Sequence, residues 1–202
     1  MRAWVRWLVV FATFAVAPRA ALAESASESG HWSLGTSAWM LANALPDSPH
    51  FAYLEGDVTV GAHGALAFGA LTWRYHAPIG IPYGPSQGDP AEDYPGFVRS
   101  VGVGAGYRQR LYRDLSASAW AFNLLQLYSE DGQPVRTGYQ LFLQARVGWR
   151  FRVQEPGLWL EPAIAFNAWP VELGRPDSFR EKDQRWPSYF LFEPWLNLGW
   201  RW

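Results

Sequence analysis

The chain has 202 residues, a formal net charge of −1 and no cysteine. That excludes a disulfide framework, a thiolate metal site and the basic face expected of a nucleic-acid binder. Aromatic residues make up 17% of it, with 13 tryptophans, a content that suits proteins holding amphipathic rings at a membrane–water interface.

The first segment reads as an export signal. Arg2 and Arg6 precede an apolar run over residues 7–17, and Ala21-Leu22-Ala23 supplies the small residues of an A-x-A-like cleavage site. This is the pattern of a cleaved secretory signal peptide, residues 1–23. The apolar run is shorter than the ~20 residues a membrane-spanning helix needs. Residues 24–202 then make one domain, and none of their stretches is long and apolar enough for such a helix. A membrane can still be crossed by a β-sheet closed on itself, which pairs every backbone group and leaves no edge.

Eight strands are predicted, at residues 31–43, 50–62, 65–77, 97–112, 115–129, 136–153, 157–170 and 188–202. Their connections alternate. Residues 62–64, 113–114 and 154–156 are short turns. Residues 78–96 and 171–187 are long, rich in Pro, Gly and charge, and read as solvated loop surface. Residues 44–49 and 130–135 are intermediate. Short turns at one end and longer loops at the other describe an outer-membrane barrel.

In chain order, the first strand opens on His31-Trp32-Ser33. The second carries Glu55, Asp57 and Thr59 in one register, and the third Thr72, Arg74 and His76. A turn at His63-Gly64 predicts Glu55 near Arg74. The fourth carries Arg108 and Arg110 behind Gly102, Gly104 and Gly106. With no helix following, those glycines are no phosphate-binding loop. They are expected to make room for bulky inward side chains such as Phe142 and Trp195.

The sixth strand, RTGYQLFLQARVGWRFRV, is the clearest. One register is Thr137, Tyr139, Leu141, Leu143, Ala145, Val147, Trp149, Phe151 and Val153. The other holds Gln140, Gln144, Arg146, Arg150 and Arg152. Strict alternation over such a length signals a strand, and it exceeds the 5–6 residues usual in soluble sheets. The seventh strand adds Glu161 and Asn167 in the polar register, and the eighth Glu193, Asn197 and Arg201. Glu161 is expected opposite Arg150. Glu161-Pro162 and Glu193-Pro194 each remove a ladder donor, which predicts a bulge or kink at both sites.

The inward set is therefore Glu55, Asp57, Arg74, Arg108, Arg110, Arg146, Arg150, Glu161, Glu193 and Arg201. It reads as one salt-bridge network filling the interior, since buried charges must be paired. Eight strands leave room only for side chains, so an open diffusion pore is not expected. Tyr139, Trp149, Trp169, Trp186, Trp200 and Trp202 read as anchors at the membrane interfaces. No metal site and no cofactor is indicated.

Alternation, loop lengths and the closing segment YFLFEPWLNLGWRW together resemble the small eight-stranded bacterial outer-membrane barrels, the group that includes the OmpA transmembrane domain and OmpX. The resemblance covers the whole mature chain and rests on architecture. It implies an all-β fold, a closed antiparallel transmembrane barrel of eight strands, located in the outer membrane. It also implies contact with outer-membrane lipid and lipopolysaccharide, and recognition of the C-terminal strand by the barrel-assembly machinery. Phenylalanine is the usual last residue of that signature, where this chain has Trp202.

Three functions fit such an architecture. The first is a membrane scaffold or surface protein acting through its loops. The second is a narrow channel or carrier for small molecules. The third is an enzyme that modifies lipid A with a Ser, His and acid. For the third, His31-Trp32-Ser33 is similar to a deacylase pattern but lies at the short-turn end, away from lipid A. Asp47-Ser48-Pro49-His50 lies at the loop end. The scaffold is the expected function.

Overall fold

The computed structural model describes residues 31–45, 48–81, 89–154 and 157–202. The expected signal peptide lies outside them, as do Asp47 and parts of the 78–96 and 154–156 connections.

The chain forms one antiparallel sheet whose strands follow one another around a ring. They are β1 (Trp32–Ser37), β2 (Ala52–Val60), β3 (Gly64–Tyr75), β4 (Gly96–Tyr112), β5 (Leu115–Glu130), β6 (Arg136–Trp149) with its two-residue continuation β7 (Phe151–Arg152), β8 (Leu158–Leu173) and β9 (Tyr189–Arg201). β6 pairs with β8, from Tyr139↔Leu173 to Gly148↔Ala163. β1 pairs with β9, from Ser33↔Arg201 to Ser37↔Asn197. Eight strands thus each have two hydrogen-bonded neighbours. The short turns gather at one end of the ring and the long connections at the other.

Alternation sorts side chains between the two faces. On β5, Ser116, Ser118, Trp120, Phe122, Leu124 and Gln126 are buried, while Asn123 and Leu125 between them are exposed. On β4, Val98 and Ser100 are fully buried and Val103 is 65% exposed. The outer face carries an apolar band that includes Leu66, Phe68, Val103, Leu125, Ile164 and Leu196, all exposed.

Three stretches depart from the expected strands. The first strand stops at Ser37, and residues Ala38–Ala44 form a 3₁₀ helix instead. The Ser37 hydroxyl accepts the Trp39 backbone N–H, capping the helix, and the Trp39 indole donates to the Pro194 carbonyl at 2.9 Å. Further pairing would have run towards Pro194, which has no N–H to give. The sixth strand breaks at Arg150, one residue beyond the position facing Pro162. The seventh runs on to Leu173, and a short helix, α1 (Asp177–Asp183), follows within the expected loop.

The two Glu-Pro sites resolve differently. The register runs evenly through Pro162↔Leu196 and Ile164↔Pro194. A shift lies just past Glu193, between Ala165↔Glu193 and Asn167↔Phe190. Another separates Leu141↔Val171 from Leu143↔Ala168, where Trp169-Pro170 must be accommodated. No bulge sits at Pro162.

The β4 glycines do make room for rings, but not those expected. A Cβ on Gly104 would stand 2.5 Å from Phe122 and 2.6 Å from the Ala121 carbonyl, and one on Gly106 would stand 2.7 Å from Trp120. These rings belong to the adjacent strand rather than to Phe142 and Trp195. Because a backbone oxygen cannot swing aside, Gly104→Ala should destabilise the fold by about 1–3 kcal/mol through overpacking. Urea unfolding of the protein in detergent micelles measures this, and a cost below about 0.5 kcal/mol would show slack in the β4–β5 wall.

Candidate functional site

The interior charges come from alternate strands. β2 supplies Glu55 and Asp57, two residues apart on one face. β4 supplies Arg108, β6 Arg146 with Arg150 just past its end, and β8 Glu161. The strands between them present small residues at this level: Ser33 and Gly35 on β1, Ala65 and Ala67 on β3, Ser116 and Ser118 on β5, Gly199 on β9. Small side chains on one set of strands leave the volume that the long ones fill.

Glu55 is the hub. Its Oε2 accepts from Arg146 at 2.6 Å and from the Tyr53 hydroxyl at 2.7 Å. Its Oε1 accepts from Arg108 at 3.1 Å and from Asn197 at 3.4 Å, and Arg150 lies 3.9 Å away. Arg108 also pairs with Asp57, and Arg150 reaches Asp57 at 3.4 Å and Glu161 at 2.7 Å. Three carboxylates and three guanidinium groups make a neutral set. Arg146 is 1% exposed and lies under the rings of Trp120 (5.0 Å), Trp195 (5.9 Å) and Tyr53 (6.0 Å). Arg150 lies 3.9 Å over Trp159.

Of the ten charges expected in one network, the structure brings six together: Glu55, Asp57, Arg108, Arg146, Arg150 and Glu161. Arg74 is a correction. Glu55 pairs with Gly69, and the inner register of β3 is Ala65, Ala67, Leu71, Trp73 and Tyr75. Arg74 therefore lies on the opposite face, with its guanidinium 4.3 Å over the Phe97 ring. Arg110 sits at the short-turn mouth and donates to His63 at 3.0 Å. Arg201 lines the same mouth. Glu193 belongs to a separate polar chain, accepting from Asn167 at 2.6 Å, while Gln144 donates to Asn167 at 3.0 Å.

Above the charges lies an aromatic layer of Tyr53, Trp120, Phe122, Phe142, Trp169 and Trp195. Trp169 is a second correction. It is 1% exposed and stacks on Phe142 inside the ring, so it is no interface anchor. Trp186 forms part of a cap, donating to Glu92 at 2.9 Å. Tyr139, Trp149, Trp200 and Trp202 are on the outer face or its rim, Trp202 at 60% exposed.

The cap closes the long-loop end. Phe179 of α1 is buried in a box made by Tyr75, Tyr94 and Tyr128. Lys182 donates to the Ala91 carbonyl at 2.7 Å, and Arg185 pairs with Glu92 at 3.0 Å, so the two long connections hold each other. Beneath them Gln126 donates to Gln140 and Gln140 to Glu172. Arg175 bridges Glu172 and Asp183. The sequence showed the charge of these loops, but only the structure seats Phe179. A lone phenylalanine within a charged run was the signal.

Of the hydrolytic candidates, Asp47 lies outside the described residues. The Ser48 hydroxyl accepts the His50 backbone N–H, while the His50 ring faces Arg99 at 3.0 Å. Ser and His side chains form no nucleophile–base pair there. His31 contacts the Trp202 carbonyl at 3.1 Å, and Ser33 is buried in the wall. Among the described residues no group of three His, Cys, Asp or Glu side chains could hold a metal ion. No family model, curated protein or solved structure matches the chain.

Removing the Glu55 charge should leave buried guanidinium groups uncompensated. Glu55→Gln is therefore expected to cost about 3–5 kcal/mol in urea unfolding, whereas Arg74→Gln should cost less than about 1 kcal/mol. Equal costs would return Arg74 to the network.

The cap should respond to pH. Burial pushes the Asp183 carboxyl above the usual aspartate range, against the pull of Arg175. Closure is then strongest below the ordinary aspartate value and weakens as pH rises through the raised one. A nitroxide on Glu181→Cys, a unique thiol in this chain, should become more mobile as pH rises above the ordinary aspartate range. Asp183→Asn should flatten that titration. An unchanged titration would assign the transition to another group.

Proposed function

We propose that the chain is an integral outer-membrane protein whose ring of strands is a closed eight-stranded transmembrane β-barrel. We propose further that it works as a membrane scaffold, presenting its long loops at the surface rather than conducting solute. The observation that carries this is the inversion of polarity across one wall. Charged and amide side chains are buried inside, while leucine, valine and phenylalanine stand exposed outside. In water such an outer band would be an aggregation surface. Against acyl chains it is matched, and the ring has no edge to leave unpaired.

Aromatic residues at both ends of that band support the placement. Trp32, Tyr112, Phe151, Trp200 and Trp202 are exposed near the short turns, and Trp39 and Tyr189 near the long loops. On this reading the outer face meets lipid and, in the outer leaflet, lipopolysaccharide. The β9 strand, with Trp202 directly after it, is the segment offered to the assembly machinery after export.

The scaffold reading is favoured over the channel or carrier by three successive obstructions: the charge cluster, the aromatic layer and the Phe179 cap. Refolded into detergent, the protein should migrate differently on gels before and after heating, with a β-type circular dichroism spectrum. In planar bilayers it should give no steady conductance, and Phe179→Ala should not open it, because the two inner layers remain. A helical spectrum would end the barrel reading. Stable single-channel steps would end the scaffold reading and leave the barrel intact.

A further inference from the structure

The charge cluster opens at the short-turn end into a cavity of about 110 Å³. Its lining is unbalanced. Arg108, Arg110, Arg113, Arg150, Arg152 and Arg201 face it, against Asp57 and Asp114 alone among carboxylates. Glu55 and Glu161 pair with Arg108 and Arg150 from below, and even with them the arginines remain in excess. Ser116, itself buried, adds a hydroxyl.

A second observation is independent of that count. Arg108 is 7% exposed, and its Nε has no hydrogen-bond acceptor among the described residues; neither has Arg150 Nη2. Buried donors of this kind are normally satisfied. The three neighbouring carboxylates are already shared among three guanidinium groups. Arg108 and Arg150 line the cavity, so both of these donors belong to side chains that a bound anion could reach.

We propose that this cavity is a binding site for a phosphate group, with Arg108 and Arg150 as its floor, Arg110 and Arg201 as its walls and Ser116 as a further donor. Guanidinium forks match phosphate oxygens in number and geometry, and these pairs strengthen away from bulk water. The volume decides the ligand's size. Pockets for drug-sized molecules run from about 300 Å³, so only a small anion or the terminal phosphate of a larger molecule enters. Free inorganic phosphate and a phosphomonoester lipid headgroup present the same chemistry here. Because Arg108 and Arg150 also join β2, β4 and β8, an occupied site stabilises the folded ring.

The test uses the full chain refolded in detergent, with the thermal midpoint of the heat-dependent gel shift as readout. Sodium phosphate should raise the midpoint with saturation, and sodium chloride at equal ionic strength should not. Arg110→Gln with Arg201→Gln lies outside the neutral cluster and should fold, yet lose most of the phosphate response. Arg136→Gln, at the opposite end, should keep it. Phosphorus NMR line broadening of the phosphate signal gives a direct measure of binding. In a second arm, vesicles of phosphatidylcholine with and without phosphatidic acid replace detergent. A response there alone identifies a headgroup as the source, and a response to inorganic phosphate identifies the free anion. Equal effects of chloride and phosphate, no effect in either arm, or a full response in the double variant would overturn the proposal. If no heat-dependent shift exists at all, the barrel reading fails first, and NMR line broadening still decides whether the site binds.

Discussion

A single buried carboxylate organises the interior. Glu55 accepts from Arg108, Arg146 and Tyr53, and lies within ion-pair reach of Arg150. The three arginines come from β4, from β6 and from just past the end of β6, across the interior from β2. Backbone ladders fix only neighbours, and an eight-stranded wall held by ladders alone could slip by a residue at any pair. Contacts across the interior tie β2 to β4, β6 and β8 at one level. A slip of one residue would turn Glu55 or Arg146 outward and leave its partners buried without compensation. The cost of that, about 3–5 kcal/mol for one broken pair, makes the cluster a device for register as much as for stability.

The cluster also explains the distribution of small residues. Long charged side chains need volume, and the wall gives it through serine, alanine and glycine on the intervening strands. Trp159 uses the same device at the β1–β9 junction, where a Cβ on Gly35 or Gly199 would meet its indole at 2.6 or 2.3 Å. Bulk and its absence are thus arranged strand by strand, first for guanidinium groups near the short turns and then for rings towards the long loops.

Much of this was legible in the sequence. Alternation in RTGYQLFLQARVGWRFRV placed Gln140, Gln144, Arg146, Arg150 and Arg152 in one register; the first three are buried, Arg150 is partly so and Arg152, at the mouth, is exposed. The same rule placed Glu161 opposite Arg150, which the 2.7 Å contact matches. It failed on β3, where the inner register, Ala65, Ala67, Gly69, Leu71, Trp73 and Tyr75, carries no charge and the polar residues share the outer one. Thr72, Arg74 and His76 looked inward because they are polar, yet Leu71, Trp73 and Tyr75 are the inner set. Polarity alone misassigns a strand whose inner face packs in the aromatic layer; the turn fixes its register, with Thr59 opposite Ala65. Trp169 was misread for a related reason. A tryptophan before a proline at a strand's end suits an interface, but Trp169 continues the inward register of Glu161, Ala165 and Asn167. The cap was not legible, since it depends on two connections far apart in the chain meeting over the mouth.

The two ends of the ring differ in kind, and this follows from connection length. A two-residue turn such as Arg113-Asp114 is too short to fold back over the opening, so the short-turn mouth stays accessible and shows whatever charge the wall carries. The long connections have chain to spare. They fold inward, bury Phe179 and satisfy their own charges through Arg175, Lys182 and Arg185. One end is consequently a shaped cationic recess and the other a packed surface of defined relief. Among the described residues, the charge cluster and the aromatic layer occupy the space between them. Chemistry in the recess bears on the wall through Asp57, Arg108 and Arg150, the side chains that belong both to the recess and to the cluster holding the wall in register.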